Sequence, residues 1–182
     1  MTKLAEIHVE NALSPRFGRG WHCLGEADEF RDGKLHTLNV FGSRLLAFAT
    51  SKGEISVLDA HCPHMGADLS QGTIENDRVV CPFHHWQYDA SGKCVEIPYC
   101  KRIPPKAKTR AWLTCEENNL LFVWNNPEGK PPAEDVVIPH LPEMDSDEWL
   151  HSWHMDKLVI DTNPRELVDN LVDAQHFGPV HG

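Results

Sequence analysis

Two short Cys/His pairs dominate the chemistry this chain could do. Cys62-Pro63-His64 and, sixteen residues later, Cys81-Pro82-Phe83-His84 each offer one thiolate and one imidazole. Two sulfurs and two nitrogens can fill a tetrahedral zinc site. They can equally hold a two-iron, two-sulfide cluster, with the thiolates on one iron and the imidazoles on the other. Zinc modules usually pair like with like, whereas each arm here mixes its donors at unequal spacing. Neutral imidazole in place of thiolate leaves such a cluster less negative and easier to reduce. A second group lies at residues 170–181, where Asp173 and His176 stand three apart and His181 follows Gly178-Pro179. Two histidines with a later carboxylate on one face of a metal leave open positions for O2 and substrate. By spacing alone a helical Asp/His pair is more often a solvated ion pair.

The elements that must position these residues can be read around them. From Trp21 to Trp124 short apolar runs alternate with Gly, Asn, Asp and Pro turns, which predicts an antiparallel β-sandwich or barrel. Leu45 to Ala49 and Ile55 to Leu58 flank a Thr-Ser-Lys-Gly-Glu turn, and Trp112 to Cys115 is expected to pair with Leu120 to Trp124. Each Cys/His pair ends a candidate strand, so the two loops are expected side by side at one tip. Residues 1–14 read as an N-terminal arm, 15–125 as the all-β domain, 126–144 as a Pro-rich linker and 145–182 as the beginning of an α+β domain. Within the last part, His151 to Asp161 reads as a strand. Asn163 is the expected N-cap of a helix with Pro164 at its first position and Glu166 closing a capping box. Leu167, Leu171 and Ala174 fall on one face, and Asp173 and His176 are expected to project from that same helix.

Together these motifs resemble the oxygenase subunits of Rieske non-haem iron oxygenases. In that family Asn-x-x-Asp-x-x-His-x-x-x-x-His marks the mononuclear iron, and Asn170, Asp173, His176 and His181 match it position by position. The likeness is strongest to the 3-ketosteroid 9α-hydroxylase oxygenase components. It runs through Arg16 to Gly25, Ser51 to Thr73 and Gly92 to Trp112. The resemblance implies that Cys62, His64, Cys81 and His84 bind a Rieske-type [2Fe-2S] cluster, and that His176 and His181 bind mononuclear Fe(II). It implies catalytic-site roles for Asn170 and Asp173, the aspartate bridging an iron histidine to a cluster histidine of the adjacent subunit.

The activity implied is O2-dependent hydroxylation of a hydrophobic, steroid-like substrate in a homotrimer fed by a ferredoxin reductase-type electron donor. The alternatives are a stand-alone Rieske ferredoxin-like carrier and a Rieske sterol desaturase. The family's third iron ligand is a carboxylate beyond the position of Gly182, so the chain reads as an N-terminal portion that is not expected to hydroxylate by itself. Rieske proteins of respiratory bc complexes brace their loops with a disulfide and donate to sulfur from a serine and a tyrosine. The matching positions here are Ala67, Phe83 and Trp86, and only Tyr88 remains. With fewer donors the potential is expected near the low end of the Rieske range, about −150 mV.

The remaining composition agrees. Of 182 residues 41% are hydrophobic, enough for a core, and the net charge of −10 argues against a nucleic-acid partner. Met1 to Glu10 holds no apolar run, so neither signal peptide nor membrane span is expected and a cytoplasmic setting with reduced thiols follows. Cys23, Cys94, Cys100 and Cys115 read as ordinary thiols, and His61 and His85 as neighbours of ligands rather than ligands. Lys101-Arg102 and Lys106 to Arg110 interrupt the acidic surface, either as a solvated face or as a docking patch for an acidic reductase domain.

Overall fold

The computed structural model describes residues 17–150, 153 and 161–182. Among the described residues ten short strands form three antiparallel sheets. The first sheet contains β1 (Gly20–Glu26), β9 (Thr114–Glu117) and β10 (Leu120–Asn125), with β10 in the middle. In the second, β3 (Ser43–Ala49) lies between β2 (His36–Val40) and β4 (Ile55–Asp59). The third follows chain order: β5 (Thr73–Glu75), β6 (Arg78–Val80), β7 (Gln87–Tyr88) and β8 (Cys94–Glu96). The expected all-β fold is therefore present, as is the hairpin of β3 and β4, in which Leu46 faces Leu58 and Ala47 faces Val57.

The core explains why β3 reads as a continuous apolar run. Leu46 and Phe48 point to one side, into a cluster with Leu58, Leu69, Val79, Tyr88 and both loop cysteines. Leu45 and Ala47 point to the other, against Phe30, Val57 and Leu121. Alternation along a strand sends successive side chains to opposite faces, so burial of both faces demands apolar residues at every position. The side that holds Cys62 and Cys81 is thus the packed floor of the candidate site.

One sequence expectation shifts here. Trp112 does not open the strand opposite β10. Its backbone N–H bonds the carbonyl of Val57 and its indole N–H donates to Asp59 at 2.7 Å, so the residue belongs with β4, and β9 begins at Thr114. The Pro-rich segment after β10, expected as a linker, is hydrogen-bonded back to the first sheet. Asn118 of the β9–β10 turn donates to the Pro139 carbonyl and accepts from the Leu141 N–H, and the Trp21 indole donates to the Val136 carbonyl.

Helix α1 (Pro164–Val172) begins as expected: the Asn163 side chain accepts from the Arg165 N–H, with Pro164 in the first turn. The capping box does not close, because the Glu166 carboxylate accepts from the Thr162 hydroxyl at 2.9 Å. Asp173 and His176 do not share the helix, which corrects the sequence expectation. Asp173 is the C-cap at φ −81°, ψ 76°, and its carboxylate accepts from the Gln175 N–H. This local side-chain bond competes with helix continuation. His176 ends a separate 3₁₀ turn, Ala174–His176, and Phe177–His181 forms a π turn. Leu167 and Leu171 remain 45% and 61% exposed. The expected arm 1–14 and all but two residues of the expected strand 151–161 lie outside the described residues. Among the described residues no helix is long and apolar enough to cross a membrane.

Candidate metal centres

Strands β4 and β6 each deliver a cysteine to the start of a loop, and the two loops are built alike. In the first, the Cys62 N–H bonds the Ala67 carbonyl and the Gly66 N–H bonds the Cys62 carbonyl, both at 2.9 Å. In the second, the Cys81 N–H bonds the Trp86 carbonyl at 2.9 Å and the His85 N–H bonds the Cys81 carbonyl at 3.0 Å. Each turn closes with a residue of positive φ, Gly66 at +78° and His85 at +56°. Glycine takes that conformation freely and histidine at a cost. His85 is exposed in this role, and His61 is exposed in a bridge to Asp68.

These matched loops bring the four predicted residues together. Cys62 and Cys81 are both 1% exposed. Burial first, and then the adjoining Cys62 thiol, push the Cys81 thiol up from its ordinary pKa, and a metal binding this sulfur would displace its proton. The imidazoles of His64 and His84 meet edge to face with ring centroids 4.5 Å apart. Their Nδ1 atoms are buried with no hydrogen-bond partner. A buried polar atom ordinarily finds a partner; two orphaned nitrogens beside two buried thiols are the donor set that a two-iron cluster uses.

The surroundings of the donors are also informative. The Tyr88 hydroxyl lies 3.2 Å from the Cys62 sulfur. Burial, and next the Cys62 thiol, hold its pKa far above the ordinary phenol value, so the hydroxyl stays protonated and is able to donate to a Cys62 thiolate. Trp86 stacks on His64 at 4.3 Å and 10°, and its indole N–H donates to the Tyr99 hydroxyl at 2.6 Å. Sequence reading noted Trp86 only as the residue standing where bc-type proteins carry a donating serine, and did not reach Tyr99, which no spacing rule connects to the loops. Cys94 is a buried thiol paired in register with Tyr88 across β7 and β8.

The second group is only partly assembled. His176 Nδ1 bonds the backbone carbonyl of Asp173, which leaves Nε2 buried and without a partner. A carbonyl on one ring nitrogen fixes the tautomer and aims the other at a metal. The π turn brings the His181 ring to 5.4 Å from that of His176, and Phe177 stacks on His176 at 4.6 Å. Asp173 Oδ2 is 3.6 Å from His176 Nδ1 and so sits on the side away from Nε2. Asn170 stays on α1, exposed.

Comparison with known proteins matches this geometry. Residues 20–107 match the Rieske [2Fe-2S] domain family, and residues 123–182 match the 3-ketosteroid 9alpha-hydroxylase C-terminal domain. These two matches, side by side in one chain, are what it shares with Rieske non-haem iron oxygenases. It is 51% identical over 180 residues to a 3-ketosteroid-9-alpha-monooxygenase oxygenase component of Rhodococcus rhodochrous, covering 99% of this chain and 45% of the relative. A protein of the same description from Mycolicibacterium smegmatis is 50% identical over 93% of this chain and 44% of its own length. Cholesterol 7-desaturase of Ciona intestinalis is 34% identical over 95% of this chain and 36% of its own length. Among solved structures, dicamba monooxygenase bound to dicamba superimposes with a TM-score of 0.71 at 25% identity, over 90% of this chain and 48% of that one. The chain thus spans about half the length of the relatives it matches.

Proposed function

We propose that this chain forms part of a steroid-directed oxygenase component, in which Cys62 and Cys81 hold one iron of the [2Fe-2S] cluster and His64 and His84 the other. The pair of orphaned, buried Nδ1 atoms beside the paired thiols carries this reading. When bound, the cluster supplies one-electron transfer and a mononuclear Fe(II) supplies O2 activation. The protein's own residues do the rest. The backbone-bonded loops would hold the four donors, and Tyr88 would donate to the Cys62 sulfur once a metal holds it as thiolate. Phe48, Leu58 and Val79 keep water from the floor of the site. His176 and His181 contribute two ligands of the mononuclear iron, with Asn170 and Asp173 as catalytic-site residues; a simple electron carrier would need none of these.

The identity to 3-ketosteroid-9-alpha-monooxygenase components supports hydroxylation of a steroid-like substrate with electrons from a ferredoxin reductase-type donor. The proposal extends to a homotrimer, a cytoplasmic setting and a division into 15–125, 126–144 and 145–182. The test is metal and sulfide analysis of anaerobically purified protein. The reading expects about two irons and two acid-labile sulfides per cluster site, lost together in Cys62→Ser or Cys81→Ser. Stoichiometric zinc without sulfide overturns it.

A further inference from the structure

Two different surfaces lead away from the His64/His84 pair. At the tip, Met65 and Phe83 flank the histidines and are 64% and 59% exposed. Exposed large apolar side chains grouped at one place mark a surface made to be covered. The second surface is polar and aromatic. Tyr99 is 62% exposed, its hydroxyl receives the Trp86 indole N–H, and the indole is stacked on His64. Trp86 itself is only 8% exposed, so Tyr99 is the outer end of a contiguous aromatic path that begins at a proposed cluster ligand.

The charge around that outer end is opposite to the rest of the chain. Lys101, Arg102, Lys106, Lys108 and Arg110 fall within ten residues, and no Asp or Glu occurs between Glu96 and Glu116, in a chain of net charge −10. All five are exposed. Arg110 lies 3.6 Å over the Trp112 ring, and no ion pair is formed by any of the five among the described residues. The segment is anchored directly beneath the loops: the Cys94 N–H bonds the Ala107 carbonyl, and Ala107 and Ile103 pack into the same core as Cys62, Cys81 and Trp86.

We infer that Tyr99 with Lys101 and Arg102 is the docking edge for an acidic one-electron donor protein, and that Tyr99 and Trp86 carry the coupling from that edge to His64. This rests on the reading of the four side chains as ligands of a two-iron cluster. One electron leaves the donor's reduced iron-sulfur centre, which is oxidised by one, and reduces the Cys62/Cys81/His64/His84 centre by one. Both rings stay neutral and no proton moves at either. Unpaired rim charges steer a transient partner and set its association rate, while the apolar tip is left for a lasting contact.

The experiment mixes oxidised protein with reduced plant-type ferredoxin as the acidic donor probe, and separately with dithionite, in a stopped-flow spectrometer. Wild-type reduction by ferredoxin is expected to slow steeply with salt. Lys101→Glu with Arg102→Glu is expected to raise the ferredoxin concentration needed by about tenfold and to flatten the salt dependence, leaving the dithionite rate unchanged. Tyr99→Leu is expected to lower the limiting rate at saturating ferredoxin, with Tyr99→Phe retaining most of it. A salt-insensitive wild type, a charge reversal without effect, or an equal loss with dithionite overturns the docking edge. An unchanged limiting rate in Tyr99→Leu overturns the aromatic path. A wild type holding zinc and no sulfide fails at an earlier point, the cluster reading itself.

Discussion

Tyr88→Phe removes a single hydroxyl and leaves the packing of a fully buried ring intact. That hydroxyl lies 3.2 Å from the Cys62 sulfur, and burial keeps it protonated. Reduction adds negative charge to the centre and makes the sulfur a stronger acceptor. A hydrogen bond between neutral groups is worth about 1 kcal/mol net and one to a charged group about 1.5–3 kcal/mol, so the donor favours the reduced state by about 1 kcal/mol. With about 59 mV per tenfold in a one-electron couple, the potential of Tyr88→Phe is expected to fall by about 40 mV. Because the hydroxyl does not titrate near neutrality, the size of the drop should be the same from about pH 6 to pH 9. Protein-film voltammetry of both proteins reads it. An unchanged or raised potential in a variant with full iron and sulfide content would refute the claim that Tyr88 donates to a ligand sulfur.

The other expectations concern the frame of the site. A Cβ on Gly72 would sit 2.0 Å from the Val80 carbonyl oxygen, so Gly72→Ala should cost at least about 2–3 kcal/mol in chemical denaturation; a variant as stable as wild type would mean that the approach of β5 to β6 is not this close. His85→Gly relieves a left-handed histidine, a gain of about 1–2 kcal/mol offset by about 0.5–1 kcal/mol of glycine entropy, so a higher melting temperature with an unaltered cluster spectrum is expected. His140 is held by Glu117 and Asp145, which raise its pKa above the ordinary value. Its contribution to fixing the segment after β10 is therefore complete below about pH 6.5 and is lost as pH rises through the raised value. Titration of its ring signals by NMR, beside those of His140→Gln, checks the direction; a pKa below 6.5 contradicts it.

The four cluster candidates were legible because each Cys/His pair is local: the loop that carries it is closed by its own backbone bonds, so spacing along the chain becomes geometry directly. The β3–β4 hairpin was legible for the same reason, with its turn residues and apolar runs adjacent. Trp112 was misplaced because its bonds go to Val57 and Asp59, more than fifty residues away, and no local pattern distinguishes that partner from β10. Tyr99 was missed because its role depends on one indole N–H thirteen residues earlier. At the C-terminal group the expected path along one helix was not followed. Asp173 competes for the backbone of the next turn, so His176 and His181 meet through 3₁₀ and π turns rather than on a continuous helix.

The central claim is that the buried Nδ1 atoms of His64 and His84 are the nitrogen ligands of the cluster. It is tested most directly by pulsed EPR of the dithionite-reduced protein, with histidine labelled by nitrogen-15 at Nδ1. Two strong couplings from labelled nitrogen are predicted in the wild type. A paramagnetic cluster with no histidine coupling, or one coupled through the unlabelled Nε2 alone, would contradict the account.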